Sequence, residues 1–256
     1  MLVPRPIKNL VKNFLLAEAQ LNYGDPSQTD DQTVEALGEF NLMGVEDGDR
    51  LILPKDRYTG SPTPIGIKVF EAPHKSGVPA VSYGVFRQKQ RLKDTYRGMD
   101  KSEIGKILRS KRETGDKDVA ITEQYDEGIL FYTGDTTITL LREKWKSIVP
   151  HFRWIIHEVT FLGTPSTDLD TQVMNKGHCH YAQLHPWICA FPKTNFILVH
   201  WSLRYGREEV LEWFNKVCCV GLSCTNDRRQ QRSYTSPRKL PNKNYGGVPR
   251  NVVLWL

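Results

Sequence analysis

Four short apolar runs in this chain each stop at an ionisable side chain. Ile65-Gly-Ile-Lys-Val-Phe70 runs into Glu71-Ala-Pro-His74, and Gly128-Ile-Leu-Phe-Tyr-Thr133 runs into Gly134-Asp135. Trp154-Ile-Ile-His157 ends at Glu158, and Asn195-Phe-Ile-Leu-Val199 ends at His200. Runs of this length and composition are those of buried strands. In an open α/β sheet, ligands gather outside the carboxyl ends of strands, so groups delivered there by separate strands converge on one point. Two histidines, an aspartate and a glutamate meeting in that way make a nitrogen-and-oxygen site suited to Zn²⁺ or a similar divalent ion. Between the last two runs, Lys176-Gly177-His178 sets a further imidazole at a turn before an expected helix, Tyr181–Ala190.

Several elements must position these groups. Ile7, Leu10, Val11, Phe14 and Leu15 recur at helical spacing, which predicts an amphipathic helix over 6–19 with one face on the sheet. Strands are expected over 40–44 and 50–53, joined by an acidic turn at 46–49, with polar loops over 22–33 and 58–64. After His200, Glu208, Glu209, Val210, Leu211, Trp213, Phe214 and Val217 predict a helix with acid in its first turn. Residues 218–250 are basic, with no acid after Asp227, and read as a mobile segment; 251–256 read as a terminal strand.

Composition narrows the classes. The chain of 256 residues is long enough to bury a full core. Thirty-five basic and 29 acidic residues give a net charge of +6, and the pI is about 9.0, which suits a polyanionic partner without requiring one. No apolar stretch approaches the roughly 18 residues of a membrane span. The five cysteines, Cys179, Cys189, Cys218, Cys219 and Cys224, are odd in number and clustered late, which argues against a disulfide framework and for a reducing, intracellular compartment, with Cys218, Cys219 and Cys224 read as free thiols. Cytoplasm or nucleus fits that reading, and the basic start of the chain fits a mitochondrial targeting helix less well.

Basic charge concentrates in 87–112, where ten cations face three acids, an excess of seven. Arg87, Lys89, Arg91, Lys93, Arg109, Lys111 and Arg112 stand there with Tyr83, Phe86 and Tyr96 beside or among them. A solvated charged helix explains such a run in many proteins. Aromatics interleaved with cations also fit contact with RNA phosphates and stacked bases.

The order His74, Thr133-Gly-Asp135-Thr, His157-Glu158-Val-Thr160, Gly177-His178 and His200-Trp-Ser-Leu-Arg-Tyr205 resembles ribonuclease Z, the tRNA 3′-processing endonuclease family of the metallo-β-lactamase superfamily. The resemblance covers roughly residues 1–216. It implies an α/β fold, the αββα sandwich of that superfamily, over 1–217, with 87–112 as a basic RNA-facing insertion. It implies two zinc ions in the family, with His74, Asp135 and His200 as metal ligands. Glu158 and His178 become the pair that handles the leaving-group proton, and Arg204 a phosphate contact. It further implies precursor tRNA as substrate and a homodimer as the assembly. The family's His-x-His-x-Asp-His pattern does not occur in these 256 residues, whose first histidine is His74, so the resemblance implies a fold truncated at its N-terminus. Two other readings stay open: a non-catalytic RNA-binding or dimerisation homologue, and a hydrolase of small phosphodiesters from the same superfamily.

Overall fold

The four apolar runs do form neighbouring parts of one sheet. The structure, a computed structural model, describes residues 1–23, 42–54, 60, 64–114, 120–163, 166–219 and 251–254, with the side chains of 22–23, 111–114, 215 and 217–219 outside that description. Seven strands lie in the order β3 (Arg50–Ile52), β4 (Ile65–Glu71), β5 (Val81–Leu92), β6 (Thr122–Tyr132), β7 (Phe152–Glu158), β8 (Asn195–Val199) and β9 (Val252–Leu254). Pairing is antiparallel from β3 to β6 and parallel from β6 to β9. Two antiparallel steps restore direction, so β4 points the same way as β6, β7 and β8. All four strand ends that carry the site therefore open on one edge.

Helices cover one face. Among them are α3 (Thr139–Ile148), α4 (Thr167–Lys176), α5 (Tyr181–Ala190) and α6 (Arg207–Cys219), which sit in the crossovers between parallel strands. Leu140, Leu141 and Ile148 of α3, Leu184 and Ile188 of α5, and Val210 and Phe214 of α6 pack with Phe131, Ile155, Phe196 and Leu198 of the sheet into one buried core. Strand alternation puts Val85, Leu130, Trp154, Ile156 and Ile197 on the opposite face, where they are half-buried. On that side Tyr83 Oη donates to the carbonyl of Leu2 (2.9 Å), tying down a parallel ribbon of β1 (Leu2–Pro4) and β2 (Met43–Val45). The Asn251 side chain docks β9 by reaching the carbonyls of Ile188, Phe191 and Thr194.

Several expectations need correction. A helix does follow the start of the chain, as α1 (Lys8–Tyr23) after a 3₁₀ turn, but only part of its apolar stripe is covered: Ile7, Val11 and Leu15 are half-buried, whereas Leu10 and Phe14 are 69% and 66% exposed. The three-residue strands beneath it span about 10 Å, too short to cover a helix of about 24 Å. The strand expected over 40–44 begins at Met43, residues 40 and 41 lying outside the described residues. Most of the basic 218–250 segment lies outside them too. Cys189 is disulfide-bonded, against the expectation of a chain without disulfides, whereas Cys179 is free and buried.

The basic stretch 87–112 forms an arm. β5 runs on to Leu92, the chain turns through α2 (Lys101–Thr114) and returns along β6, with Leu92 opposite Thr122. The same pair has Tyr83 opposite Tyr132 at the site edge. Nine residues of strand separate these positions, about 30 Å at the usual rise. Lys89 and Arg91 are ion-paired to Glu127 and Glu123 of β6 at 2.7 and 2.8 Å. Phe86 is buried with Arg50 over its ring, so it offers no surface for a stacked base. The arm lies at the far end of the sheet from the strand termini that carry His74, Asp135, Glu158 and His200.

Candidate metal centre

Glu158 forms the floor. The last residue of β7, it is 1% exposed, and both of its carboxylate oxygens are met by donors. Oε1 accepts from the Thr136 amide (2.9 Å) and lies 2.9 Å from His178 Nδ1. Oε2 accepts from the amides of Thr160 (3.2 Å) and Cys179 (3.3 Å) and from the Thr160 hydroxyl (2.6 Å). Burial by itself raises the Glu158 pKa, but the bonds from His178 and Thr160 outweigh it and the carboxyl lies below its ordinary value. The same contact with Glu158 raises His178, against its own burial.

Each histidine is aimed by its Nδ1. His178 follows Gly177, whose left-handed backbone (φ 80°) ends α4 and lets the His178 amide reach back to the Val173 carbonyl. The Gly177 carbonyl accepts from His74 Nδ1 at 2.7 Å. A side chain at 177 would also strike the His74 backbone, so glycine serves both the turn and the approach. His200 Nδ1 stands 2.8 Å from Thr160 Oγ1. His200 is the one non-glycine residue with positive φ (65°) among the described residues, a strained backbone of the kind that collects at functional sites.

The rings and Asp135 then meet above that floor. His178 lies between His74 and His200, with centroids 5.2 and 5.3 Å away. His200 Nε2 is 3.5 Å from Asp135 Oδ1. One ligand atom from each of Asp135, His178 and His200 falls within 4.8 Å of the others, a spacing that holds one divalent ion after small adjustments. His74 borders this cluster with its Nε2 free of the Gly177 bond. The Asp135 loop is fastened to the His74 loop where Thr137 N (2.7 Å) and Thr136 Oγ1 (3.1 Å) donate to the Pro73 carbonyl. A donor set of imidazole nitrogens and a carboxylate fits zinc.

Of the residues singled out from the sequence, His74, Asp135, Glu158, His178 and His200 come together here. Arg204 stands at the rim with its guanidinium 4.9 Å from the Phe161 centroid, and that ring lies 6.3 Å from His178. Lys176 approaches the same ring at 5.3 Å. Arg87, Lys89, Arg91, Lys93 and Arg109 belong to the distant arm, and the side chains of Lys111 and Arg112 lie outside the described residues. His157 and His180 serve the fold. His157 is fully buried, which lowers its pKa, while His180 Nε2 holds Asp170 at 2.6 Å and its amide donates to the Gln183 side chain in the first turn of α5. Sequence reasoning gave no role to Thr160 or Lys176. The signal for Thr160 was a hydroxyl two residues past a strand-end acid, hence on the same side of an extended chain.

No protein-family model matches the chain, and no curated protein matches it. Among solved structures, the metallo-beta-lactamase fold protein YhfI from Bacillus subtilis is similar at 11% identity, with a TM-score of 0.36 over 72% of this chain. The match covers 54% of YhfI, so the chain spans about half the length of that protein.

Proposed function

We propose that this chain carries a metal-dependent phosphodiester hydrolase site of the ribonuclease Z kind, acting on the 3′ trailer of precursor tRNA. The observation that carries the reading is the meeting of Asp135, His178 and His200 within 4.8 Å above a buried Glu158, at strand ends that follow the order of that family's motifs. Asp135 and His200 would hold the ion, with His74 beside them, and His178, the third member of the cluster, is left to the proton transfer. A divalent ion bound there supplies Lewis acidity and a water that ionises near neutral pH. The chain's own groups do the rest. Glu158 keeps His178 oriented and protonated, so that its Nε2 can give a proton to the leaving oxygen. Arg204 and Lys176 place positive charge at the rim, where phosphates of the substrate pass. The cations of the arm contact RNA about 30 Å from the cut. Substrate, zinc and the homodimer of the family belong together to this proposal.

The size of the cluster favours one ion over two, so fewer than two zinc ions per chain are expected. The test is cleavage of a precursor tRNA and of bis-p-nitrophenyl phosphate in the presence of zinc. Cleavage of the tRNA that leaves a 3′-hydroxyl and disappears with Asp135→Ala supports the reading. Turnover of the small ester alone rejects the tRNA assignment in favour of a small-phosphodiester hydrolase. Tight tRNA binding with turnover of neither substrate leaves the RNA-binding homologue.

A further inference from the structure

We propose that Thr160 is a positioning residue that extends the grip of Glu158 to His200, so that one buried carboxylate fixes which nitrogen of both His178 and His200 faces the site. The amides of Thr136, Thr160 and Cys179 can only donate, and all three point at the Glu158 oxygens. The amides of Thr160 and Cys179 fill both lone pairs of Oε2, so that oxygen carries no proton and only accepts. The 2.6 Å contact between Thr160 Oγ1 and Glu158 Oε2 therefore uses the single hydroxyl hydrogen of Thr160. With that hydrogen spent, Thr160 Oγ1 can only accept from His200 Nδ1, 2.8 Å away. In neutral His200 the proton sits on Nδ1 and the lone pair on Nε2, the atom 3.5 Å from Asp135 Oδ1.

His178 is aimed by the same carboxylate. His178 Nδ1 faces Glu158 Oε1 at 2.9 Å, so it donates, and its Nε2 is the outward atom. Glu158 thus sets His178 directly and His200 through one hydroxyl. Thr160 also holds the His200 turn by its backbone: the Ser202 amide donates to the Thr160 carbonyl at 3.1 Å, and the Val159 amide donates to the Val199 carbonyl at 2.8 Å. These bonds bracket the strained His200 backbone (φ 65°) and leave only the hydroxyl to choose the ring's tautomer. Partners of this kind orient metal-ligating imidazoles, and removing one costs about 10- to 100-fold in metal affinity.

The zinc part of this inference rests on the function proposed above; the tautomer part does not. The experiment is nitrogen-15 NMR of histidine-labelled chain without metal, above neutral pH, together with zinc affinity by competition, for wild type, Thr160→Val and Thr160→Ser. Wild-type His200 is expected as the Nδ1–H tautomer. Thr160→Val, which keeps the branched shape and removes the hydroxyl, is expected to gain the Nε2–H tautomer and to bind zinc about 10- to 100-fold more weakly, with Thr160→Ser restoring both. An Nε2–H tautomer in wild type, or an unchanged tautomer in Thr160→Val, overturns the proposal. If Thr160→Val fails to fold, the wild-type tautomer alone decides. Wild-type chain that binds no zinc yet shows the Nδ1–H ring rejects the metal-dependent function and leaves the relay standing.

Discussion

At the site end of the β5–β6 pair, Glu158 is 1% exposed and five donors converge on its two oxygens. At the other end, Lys89 and Arg91 meet Glu127 and Glu123 with side chains between 37% and 46% exposed. Both ends pair opposite charges across similar distances, yet their energetics differ. Exposed pairs are worth about 0–1 kcal/mol, since water solvates either partner when the other is removed. A buried charge deprived of its partners has no such refuge, and breaking a buried pair typically costs about 3–5 kcal/mol. The arm can be recharged freely; the site can be changed only as a unit.

The largest effect that would sharpen this contrast is expected from Glu158. Glu158→Ala should leave the His178 ring and several amides unpaired and lower unfolding stability by about 3–5 kcal/mol in urea titration. A decrease below about 1 kcal/mol would erase the difference between the two ends. Next comes Gly177→Ala, which forces a side chain into a left-handed turn (φ 80°) and against His74, at a cost of about 1–3 kcal/mol.

The pH dependence should be smaller and of fixed sign. His178 has a folded pKa above its ordinary 6.5, so its contribution is complete below that value and is lost as pH rises through the raised one. Glu158 is depressed below 4.5, so its contribution is present above that value and is lost as pH falls through the lowered one. Stability should therefore be greatest between these limits. Glu158→Gln should flatten the alkaline side, and an unchanged profile measured by thermal melting would remove the pair from the account.

The smallest stability change belongs to the arm. Lys89→Ala with Arg91→Ala should move stability by less than about 1 kcal/mol per pair. It should leave zinc affinity unchanged. If the arm touches RNA, the same change should lower the salt dependence of tRNA binding by about 0.9 in log–log slope for each phosphate that is no longer neutralised.

The contrast also separates what the sequence made legible from what it hid. Strand ends were readable because each apolar run and its terminal acid or imidazole are local features, and the common strand direction brings them to one edge. The place of the arm was not, since it depends on the antiparallel register that sets Leu92 opposite Thr122. The charge excess of 87–112 likewise looked free because its partners Glu123 and Glu127 come from the returning strand. The stripe of α1 predicted a buried face, but periodicity does not say whether a neighbour is long enough to cover it. Thr160 stood inside a quoted motif, and only the positions of Glu158 and His200 on either side of its hydroxyl give it a task.

The central claim is that strand ends gather a metal-binding group, and zinc titration of the wild-type chain beside Asp135→Ala tests it most directly. Binding of fewer than two zinc ions per chain, abolished by Asp135→Ala and kept in the Lys89→Ala, Arg91→Ala arm variant, is the expected result. Zinc uptake that is equal in wild type and Asp135→Ala, or absent from both, would contradict it.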